Sequence, residues 1–299
     1  MKKLLKILLW TLGALLALAI VAALLARFVF RDALVRTLHA ELRRERVELL
    51  AASAAYRADT AAWRFACERD AERAREIGSY FRLDTLDDPA LPVWERTLRI
   101  ADFVASRIPH ANQRQWPERC DAVSLWEYTR TVEPAFNCRL HALLLHELLW
   151  ASGIANRVVT CLPQDAEDRD CHVVNQVWLP ERERWAMIDS DMGGCCLDEV
   201  GEPLSLAEMR RRCIAGEPMT LRRFGGRNTD VAYYASYWAK NLYWFLCRER
   251  QGFGHEGCGR DGRSVALLPP GFEGFGPAAV ALRTSDAERF WAAPDTDTL

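Results

Sequence analysis

Residues 136–150 have the sequence FNCRLHALLLHELLW, and the helical pattern that begins there runs to Gly153. Asn137 is a preferred N-cap residue, so we predict that Cys138 occupies the first helical position. The N–H groups of that first turn lack partners within the helix and form the positive end of its dipole. A thiol in such a place becomes a thiolate more readily, and Cys138 is therefore a candidate nucleophile.

Strand-like segments follow this helix. Residues 156–161 (NRVVTC), 172–179 (HVVNQVWL) and 185–189 (WAMID) are rich in β-branched, aromatic and other apolar side chains. The short segments between them favour antiparallel pairing. We therefore expect an α+β fold in which the cysteine-bearing helix packs on an antiparallel sheet.

Two of these predicted strands carry residues that would complete a catalytic site. His172 begins one strand and Asp189 ends the next. A hairpin between them places Asp189 opposite His172 or one diagonal step away, within side-chain reach. Because a cysteine nucleophile needs a base, and the base an orienting partner, we predict that Cys138, His172 and Asp189 act in these three roles. Asp191 is the competing choice for the carboxylate.

These residues resemble the pattern of the transglutaminase-like superfamily of papain-like cysteine enzymes. That pattern is a cysteine opening a helix, a Gly-Ile-x-x-Arg segment after it, a histidine beginning a strand, and a tryptophan four residues before an aspartate. The matching residues, within about residues 93–192, are Cys138, Gly153-Ile154-Ala155-Asn156-Arg157, His172 and Trp185-Ala186-Met187-Ile188-Asp189. The resemblance implies a papain-like core and the same triad. It also implies acyl transfer from an amide through a thioester, with an amine or water as acceptor.

The chain departs from the family pattern at three positions. Asn137 stands where glycine is common, Ala155 replaces a frequent proline, and Ser190 follows the aspartate where proline is usual. These departures concern the subgroup and hence the substrate, and they remove no reacting group. In this family a second oxyanion donor often comes from a side chain upstream of the cysteine, and the candidates here are Trp116, Gln113 and Gln115.

The sequence offers other histidines as a base and other cysteines as metal ligands. His141 and His146 lie on the cysteine helix, where side chains lean toward the N-terminus and rarely meet in the geometry of a thiol–imidazole pair, so we expect structural roles for both. The repeated cysteine spacing of a structural zinc site is missing. We therefore predict no metal and no cofactor.

The N-terminus has the features of a membrane anchor. Three lysines precede the segment Ile7–Ala26, which has twenty residues without a charge and would span roughly 30 Å as a helix. A cleavable signal peptide is the alternative, although its apolar region is usually shorter. We predict a single-pass N-terminal anchor through residues 7–26.

Charge and cysteine content bear on location. Basic residues flank the apolar segment on both sides and nearly balance. The chain has ten cysteines, a number that suits an oxidising compartment, so we expect an extracytoplasmic (periplasmic or extracellular) catalytic domain. Cys161 and Cys171 flank a loop between two predicted strands and are a plausible disulfide. Buried free thiols are the alternative.

We predict four regions along the chain. Residues 31–79 lack proline and are rich in helix formers, which indicates a long juxtamembrane helix, or two abutting helices, docked on its own domain rather than a self-associating stalk. Residues 231–250 are predicted to form a helix, and the tail after Ala278 to fray. The predicted regions are a transmembrane anchor (1–30), a helical stalk (31–82), a transglutaminase-like catalytic domain (83–250) and a Gly/Pro-rich extension (251–299).

Two functions of different class follow from these features. The first is a membrane-anchored thiol acyl transferase or hydrolase acting on a protein or peptide amide, with an amine acceptor as a further partner. The second is a non-catalytic binding module that keeps the fold. A net charge of −2 gives no electrostatic case for nucleic acid, and the sequence does not define an oligomeric state.

Overall fold

A computed structural model describes residues 2–28, 30–254, 262–279 and 281–294 of the chain. The helices are α1 (Lys2–Phe28), α2 (Arg31–Ala52), α3 (Ala71–Phe81), α4 (Leu83–Leu86), α5 (Val93–Arg107), α6 (Ala122–Thr131), α7 (Cys138–Ala151), α8 (Leu206–Ala215), α9 (Val231–Asn241) and α10 (Ala287–Phe290). The strands are β1 (Ala66–Glu68), β2 (Asn156–Leu162), β3 (His172–Leu179), β4 (Arg184–Ile188), β5 (Gly194–Leu197), β6 (Thr220–Arg223), β7 (Trp244–Arg248), β8 (Arg250–Gly252), β9 (Ser264–Leu267) and β10 (Leu282–Thr284).

The central sheet has six strands in the order β10-β9-β7-β2-β3-β4. β9 and β10 pair in parallel, and the other neighbours are antiparallel. The cysteine-bearing helix α7 packs on β2 and β3. The predicted α+β fold is confirmed, and the sheet has twice the three strands that were predicted.

Alternation along β3 separates two hydrophobic cores. Val173 and Val177 lie in the core that also contains buried residues of α3, α5, α6 and α7. Val174 lies in the second core, to which α8 and α9 contribute. Leu50 of α2 is buried in this second core, so α2 is docked on the domain as expected.

Buried polar side chains tie α7 to the sheet beneath it. Asn175 of β3 donates from Nδ2 to the carbonyl oxygen of Ala142 at 3.0 Å. Asn156 of β2 donates from Nδ2 to the carbonyl oxygen of His146 at 3.2 Å, and its Oδ1 lies 2.8 Å from Nδ1 of the same histidine. These bonds fix the position of α7 on the sheet, and His146 serves this packing as expected.

The long helix predicted over residues 31–79 is interrupted. Residues 53–65 form neither helix nor strand, and β1 follows them. Asp59 accepts a hydrogen bond from the backbone N–H of Ser285 at 2.7 Å, and Trp63 is buried in the second core. The helical prediction is wrong for this segment because its contacts with the C-terminal part of the chain outweigh helix propensity.

The helix predicted over residues 231–250 ends at Asn241. β7 follows and pairs with β2 on one side and β9 on the other. Trp244 and Phe245 are both buried, so the strand lacks an alternation of polar and apolar residues. A strand buried on both faces has a continuous apolar pattern that is easily assigned to helix, and this is why the prediction is wrong after Asn241.

The C-terminal region belongs to the fold. β9 and β10 extend the sheet, and Phe290 is fully buried in the second core. The fraying predicted after Ala278 is therefore wrong for residues 281–294. Residues 295–299 lie outside the described part of the chain.

Helix α1 contains one candidate membrane span, Lys3–Arg27, and none of it is buried against the rest of the protein. Its length and apolar composition suffice to cross a bilayer. A signal sequence near an N-terminus would have the same features.

The disulfide predicted between Cys161 and Cys171 is wrong, since both residues are free thiols. The β2–β3 register pairs Cys161 with His172, and successive residues of a strand point to opposite faces. Cys120 is disulfide-bonded, while Cys258 lies outside the described residues.

Candidate active site

Cys138 is the first residue of α7, as predicted. Asn137 caps the helix, since its Oδ1 accepts a hydrogen bond from the backbone N–H of Leu140 at 3.1 Å. Gln113 holds the segment before the helix, because Oε1 accepts from the Asn137 N–H at 3.1 Å and Nε2 donates to the carbonyl of Ala135 at 2.7 Å. At the first helical position, the N–H of Cys138 has no acceptor within the helix and is available to an oxyanion.

His172 and Asp189 form a buried hydrogen-bonded pair. Nε2 of His172 lies 2.7 Å from Oδ2 of Asp189. Asn175 pairs with Ile188 in the β3–β4 ladder, and this register sets Asp189 one diagonal step from His172. Oδ1 of Asp189 accepts hydrogen bonds from two backbone N–H groups of the loop after β4, at 3.1 and 2.9 Å. The carboxylate is thus held at both oxygens.

The thiol and the imidazole are neighbours. The sulfur of Cys138 and one ring nitrogen of His172 lie within 4.8 Å of each other. Burial opposes a charged imidazole, but the charge of Asp189 and hydrogen bonds to Asp189 and Cys138 raise the pKa of His172 well above its usual value. The ring therefore holds its proton strongly beside the sulfur, as the cation of a thiolate–imidazolium pair would.

A second histidine–aspartate pair lies beside the first. Nδ1 of His110 lies 2.8 Å from Oδ1 and 3.0 Å from Oδ2 of Asp191. This hydrogen bond raises the pKa of His110 above its usual value. Burial opposes the charge of Asp191, yet the bond from His110 holds its pKa below the usual value. One Asp191 oxygen lies within 4.8 Å of the Cys138 sulfur.

A third imidazole, that of His141, lies under this second pair. The side chain is 0% exposed, and burial lowers its pKa to about 4. Nε2 lies 3.6 Å from Oδ1 of Asp191, beyond hydrogen-bond distance. Neither ring nitrogen has a hydrogen-bond partner among the described residues.

Part of the chain is similar to a known protein family. Residues 81–190 match the family model of the transglutaminase-like superfamily. The chain contains a transglutaminase-like domain. A solved structure from Cytophaga hutchinsonii, described as a putative cysteine protease, is similar with 18% identity and a TM-score of 0.29. That match covers 40% of this chain and 36% of the other, so the chain spans little more than a third of that neighbour. No curated protein matches the chain.

Aromatic side chains of α9 pack on the imidazole of the transglutaminase-like domain. The rings of Tyr237 and Trp238 each meet the His172 ring edge-on, with centroids 5.3 Å apart. The hydroxyl of Tyr237 donates toward Oδ1 of Asp170 at 3.0 Å and the carbonyl of Cys171 at 3.3 Å. α9 thereby fixes both the ring of His172 and the chain that leads to it.

The oxyanion candidates lie in the segment before the cysteine of the transglutaminase-like domain. The side-chain amide of Gln113 is engaged by backbone groups on both of its ends, which makes it a clamp on the loop. The backbone of Gln115 donates to Glu133 at 2.7 Å, and Trp116 is 42% exposed. The assignment of a donor among these three residues stays a prediction.

Sequence reasoning missed the role of His110. The residue stands alone in a polar segment without a regular pattern. In the transglutaminase-like domain its segment runs beside Phe136, where Phe136 N donates to Pro109 O at 3.0 Å and Ala111 N donates to Phe136 O at 2.8 Å. This pairing brings His110 next to the residues that precede Cys138. No local signal in the sequence predicts it, since the pairing joins segments that are distant in the chain.

Proposed function

We propose that this protein is a membrane-anchored thiol enzyme that acts on a protein or peptide amide through a thioester on Cys138. The single observation that carries the proposal is the 2.7 Å bond between His172 and Asp189, with the Cys138 sulfur beside the same imidazole at a helix start. The match to a transglutaminase-like domain supports a thiol enzyme of this class.

Each residue has a defined part in the proposed reaction. The sulfur of Cys138 attacks the amide carbonyl, and the backbone N–H of Cys138 stabilises the oxyanion. His172 carries the thiol proton to the leaving amine. Asp189 keeps the imidazole oriented and stabilises its charge. Water or a second amine then attacks the thioester, and His172 takes the proton of this acceptor.

The anchor and the acceptor complete the proposal. α1 holds the domain at a membrane, with the catalytic domain on the extracytoplasmic side. Residues 1–30 are proposed as the anchor, 31–82 as its connection, 83–250 as the catalytic domain and 251–299 as its extension, with strands of the last region completing the sheet. Choice between an amine and water depends on how well the closed site excludes water.

Alkylation of the full chain in detergent tests the thiol. We expect iodoacetamide to modify Cys138 at pH 6 far faster than it modifies an ordinary thiol of pKa about 8.5, and His172→Ala to slow the reaction. Cys171 is the internal control, since it is also half-buried and free, and burial raises its pKa. Equal slow labelling of Cys138 and Cys171, unchanged in His172→Ala, would contradict the proposal.

A substrate screen tests the reaction. The detergent-solubilised chain is given glutamine-donor, amine-acceptor and peptide substrates, and Cys138→Ala is the matched control. We expect turnover of at least one amide class by the wild type and its loss in Cys138→Ala. Labelling of Cys138 without turnover of any class would favour the non-catalytic binding module instead.

A further inference from the structure

Asp191 joins two residues of the proposed triad in a second arrangement. The sulfur of Cys138, a ring nitrogen of His172 and a carboxylate oxygen of Asp191 all lie within 4.8 Å of one another. Thiolate, imidazole and carboxylate are the three ligand types of zinc sites. With zinc–ligand bonds of about 2.0–2.3 Å, ligand atoms sit roughly 3.5 Å apart. These three atoms would need to approach one another by at most about 1.3 Å to become zinc ligands.

His141 is the independent observation that points to a ligand here. It is fully buried, and neither ring nitrogen has a hydrogen-bond partner among the described residues. Burying a polar group without a hydrogen-bond partner lowers the stability of the fold. Nε2 is directed at Asp191 from 3.6 Å, and the residue lies one helical turn after Cys138. Asp191 is already hydrogen-bonded by Nδ1 of His110, so the free Nε2 of His141 would be a further nitrogen donor beside a cation that Asp191 binds.

Neighbouring residues hold the ligands as the outer partners of a metal site do. Nε2 of His172 is bound to the carboxylate of Asp189, which leaves the other ring nitrogen for a metal. Asp191 is held by His110, and its backbone N–H donates to Asp189 at 3.1 Å. A carboxylate–histidine pair of this kind orients the imidazole and raises its basicity as a ligand.

We propose that Cys138, His172 and Asp191 form a reversible Zn²⁺ site that inhibits the enzyme, with water or His141 as the fourth ligand. Binding displaces the proton that the Cys138 sulfur and the facing nitrogen of His172 share, and this proton passes to solvent, which leaves a thiolate and a neutral imidazole as ligands. The thiolate–imidazole set selects zinc over the hard cations Mg²⁺ and Ca²⁺, which prefer oxygen ligands. The inhibition rests on the proposed function, because the metal would occupy the nucleophile and the base. Zn²⁺ binding itself does not depend on the proposed function.

Direct metal binding is the test, made on the full chain in detergent. We expect one Zn²⁺ per chain in competition with a chromophoric chelator, no binding of Mg²⁺, and a thiolate-to-metal charge-transfer band when Co²⁺ is used. We expect Cys138→Ser to remove the band and Asp191→Asn to weaken Zn²⁺ binding at least tenfold. Cys171→Ser, a change of the neighbouring thiol, is the matched control and should bind as the wild type.

Several results would overturn the proposal. One is the absence of the Co²⁺ band in the wild type, a result that does not depend on the folding of any variant. Another is Zn²⁺ binding that is unchanged in folded Cys138→Ser or Asp191→Asn. We also expect Zn²⁺ to protect Cys138 from iodoacetamide, and this measurement needs no substrate. Zinc binding without turnover of any amide would therefore refute the proposed function alone, and turnover that Zn²⁺ leaves unchanged would refute the inhibitory site alone.

Discussion

The side chains of His172 and Asp189 meet at 2.7 Å although 16 residues lie between them, because the β3–β4 hairpin sets them one diagonal step apart. Both are buried, and the second oxygen of Asp189 is bound to backbone N–H groups. The imidazole is therefore oriented by a carboxylate that has no freedom to turn away. This rigidity is what the proposed chemistry needs from an orienting group.

Replacing Asp189 by Asn should remove the charge and leave the volume nearly unchanged. Its Oδ1 would still accept from the loop, so the new NH₂ group would face Nε2 of His172 and favour the wrong tautomer. We expect kcat/KM on the amide found by the screen to fall by about 10²–10⁴-fold. Asp121→Asn, which preserves an N-cap far from the thiol, is the control and should stay near wild type. Equal kcat/KM values for Asp189→Asn and wild type would argue against the triad.

Protonation of His141 should destabilise the folded protein in acid. The unfolded chain takes up this proton near pH 6.5, whereas burial lowers the pKa of the folded residue to about 4. Stability therefore falls as the pH drops through this window, by about 2 kcal/mol between pH 7 and pH 5 for this residue. Urea unfolding at the two pH values measures it. His141→Asn should reduce the pH dependence by that amount, and an unchanged slope would refute the assignment.

The raised pKa of His110 should depend on Asp191. Because the folded pKa is raised, the pair stabilises the protein below about pH 6.5, and this contribution is lost as the pH rises through the raised pKa. We expect Asp191→Asn to return the pKa toward 6.5, as measured by NMR titration of the ring. An unchanged pKa of His110 in Asp191→Asn would show that another group raises it.

The second oxyanion donor can be identified by comparing Gln113→Glu, Gln115→Ala and Trp116→Phe. Loss of a donor that acts only in the transition state should lower kcat by about 10²–10³-fold with little change in KM. We expect Gln113→Glu to act differently, by loosening the loop at Ala135 and lowering stability as well as kcat, because its amide is bound to backbone groups. Unfolding measured beside the kinetics separates the two effects. A stable Gln113→Glu variant that loses only kcat would make Gln113 the donor.

The parts of the site that the sequence predicted depend on short-range rules. An asparagine cap predicts where α7 begins, and strand alternation with a tight hairpin predicts the meeting of His172 and Asp189. Both rules operate within a few residues or across one hairpin. The start of β3 and of α7 agree with the sequence to the residue.

The parts that were missed depend on contacts between distant segments. His110 reaches Asp191 only because its segment pairs with Phe136, and β7 is a strand only because β2 and β9 flank it. Residues 53–65 have good helix formers but bind the C-terminal region instead. Local propensity carries no information on such partners, so the sequence pattern predicts helix for two segments that are not helical.

The docking of α2 on α9 limits where the thiol can work. Arg46 of α2 donates from Nη1 to the carbonyl and hydroxyl of Ser236 at 2.9 and 2.7 Å, and α9 in turn packs on His172. If α1 spans a bilayer, α2 is then a rigid connection to the domain and not a flexible linker that would let the site move through a wide volume. The helical stretch from Arg31 to Arg46 is about 24 Å long, which is the largest distance that this contact can lie from the membrane-proximal end of α2. Under the proposed function, the thiol would therefore act on amides close to the lipid surface and not on amides far from it.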